Sequence, residues 1–453
     1  MRTGIVNSRS FFDAESGLRI DPDIHLSEGS IIRKELKKLP YPLSSVGENA
    51  SDVFYGNIFS RVFVRKPEYG MPYLAASDTV LANLDTGRYL SKRQAAQLSY
   101  LILKKDWILV TCSGTLGNVT YTNRNFENHI ATHDLIRIIP NSLKVNTGTL
   151  YAFLSSKYGY YQITQSQFGG VVKHINTEQT KSIIVPIFPD EFQREVDDLI
   201  QESARLREEA NNAIEKAHKI IEDYFPCIEN KKHQGVSIKD ILASKNGRFE
   251  ASYYNTSGKA YDEYIKSHFN WKPLSELANI SRPGLFKRCY VENGLMFLGG
   301  ADIFLSTPKS NKFVSRTKTA DIPSLMIKEG SILMPRSGTI GDVAFATSQH
   351  AQKLASEDVI RINSDNILRT ASFFAFLSSR IGKALIQRHI FGSVIQHVEP
   401  QLLGDIPMPI FDEETEKTIS ELAMTYKDSL GKAGELELKA IDLVEEEIEK
   451  WNQ

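Results

Sequence analysis

The stretch CSGTLGNVTYT at residues 112–122 has a second copy in the same chain, RSGTIGDVAFA at residues 336–346. Gly114 of the first copy corresponds to Gly338 of the second, an offset of 224 residues. Two explanations compete for such a repeat. One is a duplicated nucleotide-binding loop, and the other is a duplicated domain that performs one task twice.

The repetition extends well beyond the glycine turn. Five further blocks recur in the same order at an offset of 224 or 223 residues, which indicates a tandem duplication of most of the chain. The pairs are GMPYLAASD (70–78) with GLMFLGGAD (294–302), HDLIRI (133–138) with EDVIRI (357–362), YAFLSSK (151–157) with FAFLSSR (374–380), FGGVVKHI (168–175) with FGSVIQHV (391–398), and VPIF (185–188) with MPIF (408–411).

Composition sets modest bounds on the class of protein. With 453 residues, of which 41% are hydrophobic and 24% charged, the chain is long enough for two or three ordinary globular domains. No apolar run reaches the roughly 20 residues of a membrane span, and the start of the chain lacks a signal-peptide pattern. The three cysteines, Cys112, Cys227 and Cys289, are too scattered for a zinc site or a disulfide framework. We expect no metal, no membrane contact and a reducing cytoplasm.

The net charge of −1 is the sum of basic and acidic segments that alternate along the chain. Residues 1–185 and 233–409 each carry a net charge of +6, whereas residues 186–232 and 410–453 carry −5 and −8. Each repeat is therefore a basic body followed by an acidic tail. A basic body suits a polyanion such as nucleic acid, although a mild excess of this size is also common in proteins without such a partner.

Both acidic tails have the periodicity of long helices. In the first, apolar residues recur at alternating steps of four and three, which is the heptad pattern of a coiled coil. We predict that the two tails pair with each other, in antiparallel orientation, as a spacer between the bodies. The predicted packing residues are Phe192, Val196, Leu199, Leu206 and Ile220 in the first helix, and Ile419, Leu422, Tyr426, Leu430, Val444 and Ile448 in the second.

The bodies are predicted to be mixed α and β. Short apolar stretches such as 107–112 and 331–336 are typical of strands, while 149–163 and 371–386 have helical spacing. The sequence therefore predicts an α+β fold with long helices: bodies at 1–185 and 233–409, and spacer helices at 186–232 and 410–453.

The glycine turn does not match a known cofactor loop. A P-loop needs a lysine after its second glycine, and the dinucleotide fingerprint needs three glycines that open a helix. Here the second glycine leads into a strand-like segment, so the turn is either structural or holds a nucleic acid backbone. We also find no motif for zinc hydrolysis, amino-methyl transfer or a Ser-His-Asp triad, which favours recognition over catalysis.

The ordered repeats, together with the short leaders FFDAE (11–15) and RFEAS (248–252), resemble the specificity subunits of Type I restriction–modification systems. The resemblance covers nearly the whole chain. It implies two target recognition domains, each reading one half of a split site in double-stranded DNA, and a helical spacer that docks two methyltransferase subunits. The resemblance is also compatible with restriction subunits as further partners. S-adenosylmethionine, ATP and Mg would then belong to the partners, and this chain would hold no cofactor and no catalytic residue.

On this interpretation, the basic and polar side chains near the repeated motifs are candidates for DNA contact, because Arg and Gln bind base edges in bidentate fashion and Lys, Ser and Thr bind phosphate. In the first body they are Arg61, Arg65, Lys66, Ser113, Thr115, Lys173 and His174. In the second they are Arg282, Lys287, Arg288, Arg336, Ser337, Thr339, Gln396 and His397. FSR (59–61) and ISR (280–282) are taken as a repeated pair.

Two other classes remain open from the sequence. The chain could be the specificity module of a different DNA-modifying defence complex, or a scaffold whose basic bodies bind protein. A steep loss of affinity with salt would favour DNA over protein, because phosphate contacts release counterions.

Overall fold

The computed structural model describes residues 25–114, 116–165, 174–228, 235–244, 247–254, 257–392 and 394–451. The chain divides into two compact units. The first is Met1–Glu208 with Ala433–Gln453, and the second is Glu209–Lys432. The leader at 11–15 and the candidate residues Thr115 and Lys173 lie outside the described residues.

The first unit builds three sheets from short strands. The sheets have the orders β1-β10, β2-β9-β6-β7 and β3-β5-β4-β8, with β4 and β8 parallel and the other pairs antiparallel. The strands are β1 (Leu43–Ser45), β2 (Ala50–Phe54), β3 (Phe63–Val64), β4 (Gly70–Leu74), β5 (Tyr89–Ser91), β6 (Ile108–Thr111), β7 (Val119–Tyr121), β8 (Ile130–Ala131), β9 (Leu135–Pro140) and β10 (Ile184–Pro186).

The second unit has the same three sheets in the same order. They are β11-β20, β12-β19-β16-β17 and β13-β15-β14-β18, and again one pair, β14 with β18, is parallel. The strands are β11 (Trp271–Pro273), β12 (Asn279–Ser281), β13 (Tyr290–Val291), β14 (Leu295–Leu298), β15 (Phe313–Val314), β16 (Ile332–Pro335), β17 (Ala344–Phe345), β18 (Leu354–Ala355), β19 (Val359–Asn363) and β20 (Pro407–Pro409).

The repeat predicted from the sequence is therefore a repeat of folds, down to strand register. Ile108 lies opposite Ile138 in the first unit, and Ile332 lies opposite Ile362 in the second. Each residue of the first pair is 224 positions before its counterpart in the second, which is also the offset between the glycine turns. The α+β fold class is confirmed.

Helices cover the sheets and flank the units. In the first unit they are α1 (Glu28–Leu36), α2 (Lys92–Gln97), α3 (Thr147–Ser155), α4 (Lys157–Gln165) and α5 (Thr177–Lys181). In the second they are α7 (Ile238–Ala243), α8 (Ala251–Tyr254), α9 (Ser257–His268), α10 (Leu274–Leu277), α11 (Ile322–Leu325), α12 (Ile367–Ser378), α13 (Arg380–Arg388) and α14 (Pro400–Leu403). Two long helices, α6 (Asp190–Asp223) and α15 (Glu413–Glu449), contribute residues to both units.

The predicted single helices over 149–163 and 371–386 are wrong in one respect, because each is two helices. The break falls at Ser156 and at Ser379, whose backbones are extended. Each serine hydroxyl donates to the carbonyl three residues back, at 2.6 Å in both cases. It also accepts from the amide three residues ahead, Gly159 at 3.4 Å and Gly382 at 3.3 Å. One side chain thus ends a helix and caps the next one.

Within the first unit, α6 and α15 run antiparallel. Near the start of α6, Phe188 packs on the Tyr41 ring, and so does Trp451 from the end of α15. Further along α6, the Ser203 hydroxyl donates to the carbonyl of Ala433 at 2.8 Å, eighteen residues before Trp451. The two helices therefore run in opposite directions along this contact.

The buried line along α6 departs from strict heptads. Ile200 and Ile221 are buried, whereas the predicted Leu199 and Ile220 are only half-buried. An α-helix has 3.6 residues per turn, so a seven-residue pattern drifts around a straight helix. Of the other predicted positions, Val196, Ile419, Leu430, Val444 and Ile448 are buried, and Phe192, Leu206, Leu422 and Tyr426 are half-buried.

Candidate nucleic-acid interface

The glycine turn of each unit requires backbone that other residues rarely adopt. Gly114 and Gly117 have φ angles of +73° and +86°, and Gly338 and Gly341 have +83° and +109°. The surroundings differ along the turn: a Cβ at Gly114 would meet open space, whereas one at Gly117 would lie 2.7 Å from the Tyr160 ring. The turn thus has one end packed against α4, while a side chain at the other end would meet no atom of the described residues.

A serine and an aspartate fix the open end of the turn. The Ser113 hydroxyl donates to Asp134 at 2.7 Å, and Ser337 donates to Asp358 in the second unit. The backbone repeats the connection, since the amide before each serine donates to the carbonyl of that aspartate, at 3.2 Å from Cys112 and 2.7 Å from Arg336. Both carboxylates keep part of their surface in solvent.

A third segment joins on the other side of the turn. Ser113 forms a β-bridge with His174, and Ser337 forms one with His397. Neighbouring amides complete the contact, from Ile175 to the Cys112 carbonyl at 3.2 Å and from Val398 to the Arg336 carbonyl at 3.0 Å. Three sequence blocks that lie far apart in the chain thus meet at one place in each unit.

The arginine at this place differs between the units. In the first, Arg61 donates to the Tyr73 hydroxyl at 2.5 Å and to Thr132 at 3.1 Å, and lies 3.8 Å from Asp134. Its guanidinium also lies over the Tyr73 ring, at 5.7 Å from the ring centre.

In the second unit the arginine comes from the strand before the turn. Arg336 Nη1 lies 3.0 Å from His397 Nδ1, and its Nε lies 3.5 Å from Asp358 and 3.4 Å from Glu399. Because arginine can only donate, Nδ1 of His397 accepts, and the histidine carries its hydrogen on Nε2. The first unit has Cys112 at the position of Arg336, and burial raises the pKa of that thiol to about 11.

The pairing of FSR with ISR is wrong. Val53 and Ile280 are the equivalent residues of β2 and β12, since they pair with Ile138 and Ile362. That register makes Arg288 the counterpart of Arg61. Arg288 lies over the Phe297 ring at 5.3 Å, as Arg61 lies over Tyr73, but its ion pair at 2.6 Å is with Glu357.

Two of the other predicted residues form long ion pairs. Arg282 is half-buried and lies 4.0 Å from Glu399, and Lys66 lies 4.0 Å from Glu68. Those with exposed side chains are Arg65, Lys66, Lys287, Thr339 and Gln396.

Sequence reasoning missed the residues that hold the turn, although the repeats contained the signal. Asp134 and Asp358 sit in the repeated blocks HDLIRI and EDVIRI, as do the buried Arg137 and Arg361. Arg137 donates to the carbonyls of Ala131 at 3.0 Å, Thr132 at 3.2 Å and Leu135 at 2.9 Å, and so holds the segment that carries Asp134. Burial lowers the pKa of Arg137 to about 10.

Among the described residues, no group of His, Cys, Asp and Glu side chains could hold a metal ion, and no helix is long and apolar enough to cross a membrane.

Comparison with family models gives a match to part of the chain. Residues 51–216, which include the first glycine turn and its partners, match the model of the Type I restriction modification DNA specificity domain. The matched part of the chain is therefore similar to a DNA specificity domain of a Type I restriction–modification system. No curated protein matches the chain.

Solved structures of Type I specificity proteins are similar to the chain along most of its length. The Type I S subunit from M. genitalium is 13% identical and has a TM-score of 0.34, over 91% of this chain and 98% of that one. The HsdS subunit from Thermoanaerobacter tengcongensis is also 13% identical, with a TM-score of 0.28 over 91% and 97% of the two chains.

Proposed function

We propose that this chain is the non-catalytic recognition subunit of a Type I complex, and that each unit reads one half of a bipartite DNA target. The observation that carries the proposal is the repeated meeting of glycine turn, aspartate and histidine with a different arginine in each unit. The shared parts suit a common task of holding the DNA backbone. The differing arginines, Arg61 and Arg336, suit two half-sites of different sequence.

The roles proposed for the segments of the chain follow their net charges. Residues 1–185 and 233–409, each with a net charge of +6, act as target recognition domains on double-stranded DNA. Residues 186–232 and 410–453 act as the spacer and dock two methyltransferase subunits, with or without restriction subunits. S-adenosylmethionine, ATP and Mg act in those partners, and the complex works in the cytoplasm, where its DNA is.

Besides Arg61 and Arg336, other basic and polar side chains are candidates for contact with the DNA. Ser113 and Ser337 are committed to the aspartates, so their role is to fix the turn. The exposed Arg65 and Lys66 in the first unit, and Lys287, Thr339 and Gln396 in the second, are proposed to contact phosphate or base edges. Thr115 and Lys173 keep the roles that the sequence suggests, as donors to the backbone.

The test is selection of duplex DNA from a random pool by the purified chain with its methyltransferase subunits. We expect enrichment of a motif in two parts separated by a gap of fixed length, with affinity that falls steeply with salt. Enrichment of a single continuous motif would refute the division into half-sites. Failure to retain duplex DNA even at low salt would favour the scaffold alternative.

A further inference from the structure

The loop between β2 and β3 and its counterpart between β12 and β13 each present one aliphatic side chain to solvent. Ile58 in the first unit and Leu285 in the second, the apolar tips of these loops, are both 86% exposed. Their positions differ by 227 residues, the offset that relates β2 to β12 and β3 to β13. A single exposed apolar residue is ordinary in a protein surface, but one at equivalent places in two repeats indicates a shared role.

The pattern of exposure along the loop is repeated although the sequence is not. The segments GNIFSRVF (56–63) and PGLFKRCY (283–290) share only the phenylalanine after the tip and the arginine three places after it. In both, the residue two places before the tip is buried and the phenylalanine is half-buried. An exposed aromatic ring, Phe63 or Tyr290, follows five places after the tip. The repeats thus share the physical character of these positions and differ in the residues that supply it.

In the first unit, contacts on both sides of the tip fix the loop beside the glycine turn. A Cβ at Gly56 would lie 3.2 Å from the Cβ of His133, so the backbone is packed closely there. The Phe59 ring lies edge-on to the His133 ring, with 5.8 Å between their centres. Arg61 lies 3.8 Å from Asp134, the aspartate that holds the turn. The tip is therefore held next to the turn.

The second unit fixes its loop at the equivalent place with different contacts. The Phe286 ring lies edge-on to the Phe297 ring, with 6.0 Å between their centres. Arg288 pairs with Glu357 at 2.6 Å, and Glu357 directly precedes Asp358, the aspartate that holds this turn. Both apolar tips thus lie beside the part of the unit to which DNA recognition is assigned.

The charges around the tips favour a polyanion as the partner. Residues 55–66 and 282–291 each contain three cations and no carboxylate. The cations are Arg61, Arg65 and Lys66 in the first segment, and Arg282, Lys287 and Arg288 in the second. Duplex DNA combines a polyanionic backbone with an apolar group that a side chain in the major groove can reach, the C5-methyl of thymine. The face of a base is reached only after base steps are unstacked, at a cost in free energy.

We propose that each apolar tip contacts the methyl group of a thymine in the half-site that its unit reads. The inference rests on the proposed recognition of DNA and adds a specificity determinant to it. Ile58 and Leu285 cannot form side-chain hydrogen bonds, so they select an A·T pair through the methyl group alone. Arg61 and Arg336 would act beside them through hydrogen bonds.

The experiment measures the affinity of the chain, in complex with its methyltransferase subunits, for its selected duplex with the thymines of one half-site at a time replaced by uracil. Uracil lacks only the C5-methyl group and keeps the base pair. With wild type, we expect each contacted methyl to contribute about fourfold to affinity, as one buried group of this size does. Ile58→Ala should abolish the effect of uracil in one half-site, and Leu285→Ala should abolish it in the other.

Matched controls come from exposed leucines elsewhere in each unit. Leu143, which is 81% exposed, follows β9 at the end of the strand opposite Asp134, and Leu368, which is 46% exposed, lies near the start of α12. Leu143→Ala and Leu368→Ala should respond to uracil as wild type does. Ile58→Leu and Leu285→Ile, which exchange the residues of the two repeats and keep an aliphatic tip, should also retain the response.

The failure of this proposal and the failure of DNA recognition give different results. A half-site whose uracil form binds wild type as tightly as its thymine form overturns the proposal for the unit that reads it, and so does a uracil effect that persists in the Ala variant. Weaker binding of the methyltransferase subunits by Ile58→Ala or Leu285→Ala, measured by sedimentation, would mean that the tips contact protein and would overturn it too. If wild type does not bind the unmodified duplex, the recognition of DNA is refuted, and the proposal with it.

Discussion

Arg336 Nη1 lies 3.0 Å from His397 Nδ1, at a position where the other repeat has Cys112. The contact joins the strand before the glycine turn to the segment that carries the last repeated block. The first unit has no arginine at this position, so the residue distinguishes two folds that share strand order and register.

Arg336→Cys, which gives the second unit the residue of the first, should change only the half-site that the second unit reads. A lost base contact of this kind costs about 1–3 kcal/mol, or roughly 10- to 100-fold in affinity for the original target. Selection from random duplexes gives both halves of the motif at once. Arg369→Met, on an exposed residue of the same unit that pairs with Asp365, is the matched control, and a change in both half-sites would contradict the assignment.

Arg137→Met and Arg361→Met should each lower the free energy of unfolding by about 3 kcal/mol, because buried carbonyls lose their donor. Arg361 donates to the carbonyls of Val359 at 2.8 Å, Leu325 at 3.0 Å and Ala355 at 3.3 Å, as Arg137 does at the equivalent place. Urea unfolding measures the loss. If either variant is as stable as the Arg369→Met control, these arginines do not hold the segments before β9 and β19.

The repeats explain why so much of the fold could be predicted. Two copies at one offset identify the turn, the aspartate block and the histidine block as parts of one unit, and the heptad pattern identifies the long helices. The equivalence of Arg61 and Arg288 could not be predicted, because the offset is 227 from β2 to β3 and becomes 224 only at β4, and few residues repeat there. The break between α3 and α4 at Ser156 could not be predicted for another reason. The same serine ends one helix and begins the next, so the helical spacing of apolar residues continues through it.

His350 should make the second unit less stable in mild acid. It is 2% exposed, its Nδ1 accepts from the Thr347 amide at 3.1 Å, and its Nε2 lies 3.0 Å from the Ile303 carbonyl, so the folded unit holds the neutral ring. Burial lowers its pKa from 6.5 to about 4. Since the unfolded chain takes up the proton first, stability is full above pH 6.5 and falls as the pH drops toward 4, by up to about 3 kcal/mol.

The first repeat supplies the substitution that tests this, because Phe126 is the buried counterpart of His350. His350→Phe should show a shallower fall in unfolding free energy between pH 6.5 and 4 than wild type, measured by urea unfolding. His268→Gln, at an exposed ring stacked on Tyr264, is the control and should follow the wild-type curve. Equal slopes for wild type and His350→Phe would refute the role of this histidine.

Lengthening both long helices should lengthen the gap in the DNA target. One heptad inserted after Glu208 and one after Lys432 keep the helix faces in phase and add about 10 Å, or about three base pairs of DNA. With methyltransferase docking retained, both half-sites should stay the same while the gap grows. Recovery of the original gap would mean that the helices do not set it.

The most direct test of the central claim is modified-base sequencing of genomic DNA from cells with and without this chain, with its methyltransferase left intact. We predict adenine methylation at a two-part motif with a fixed gap, present only when the chain is expressed. A methylation pattern that is the same in both cells, with the chain confirmed as expressed, would contradict the claim that it reads DNA for the methyltransferase.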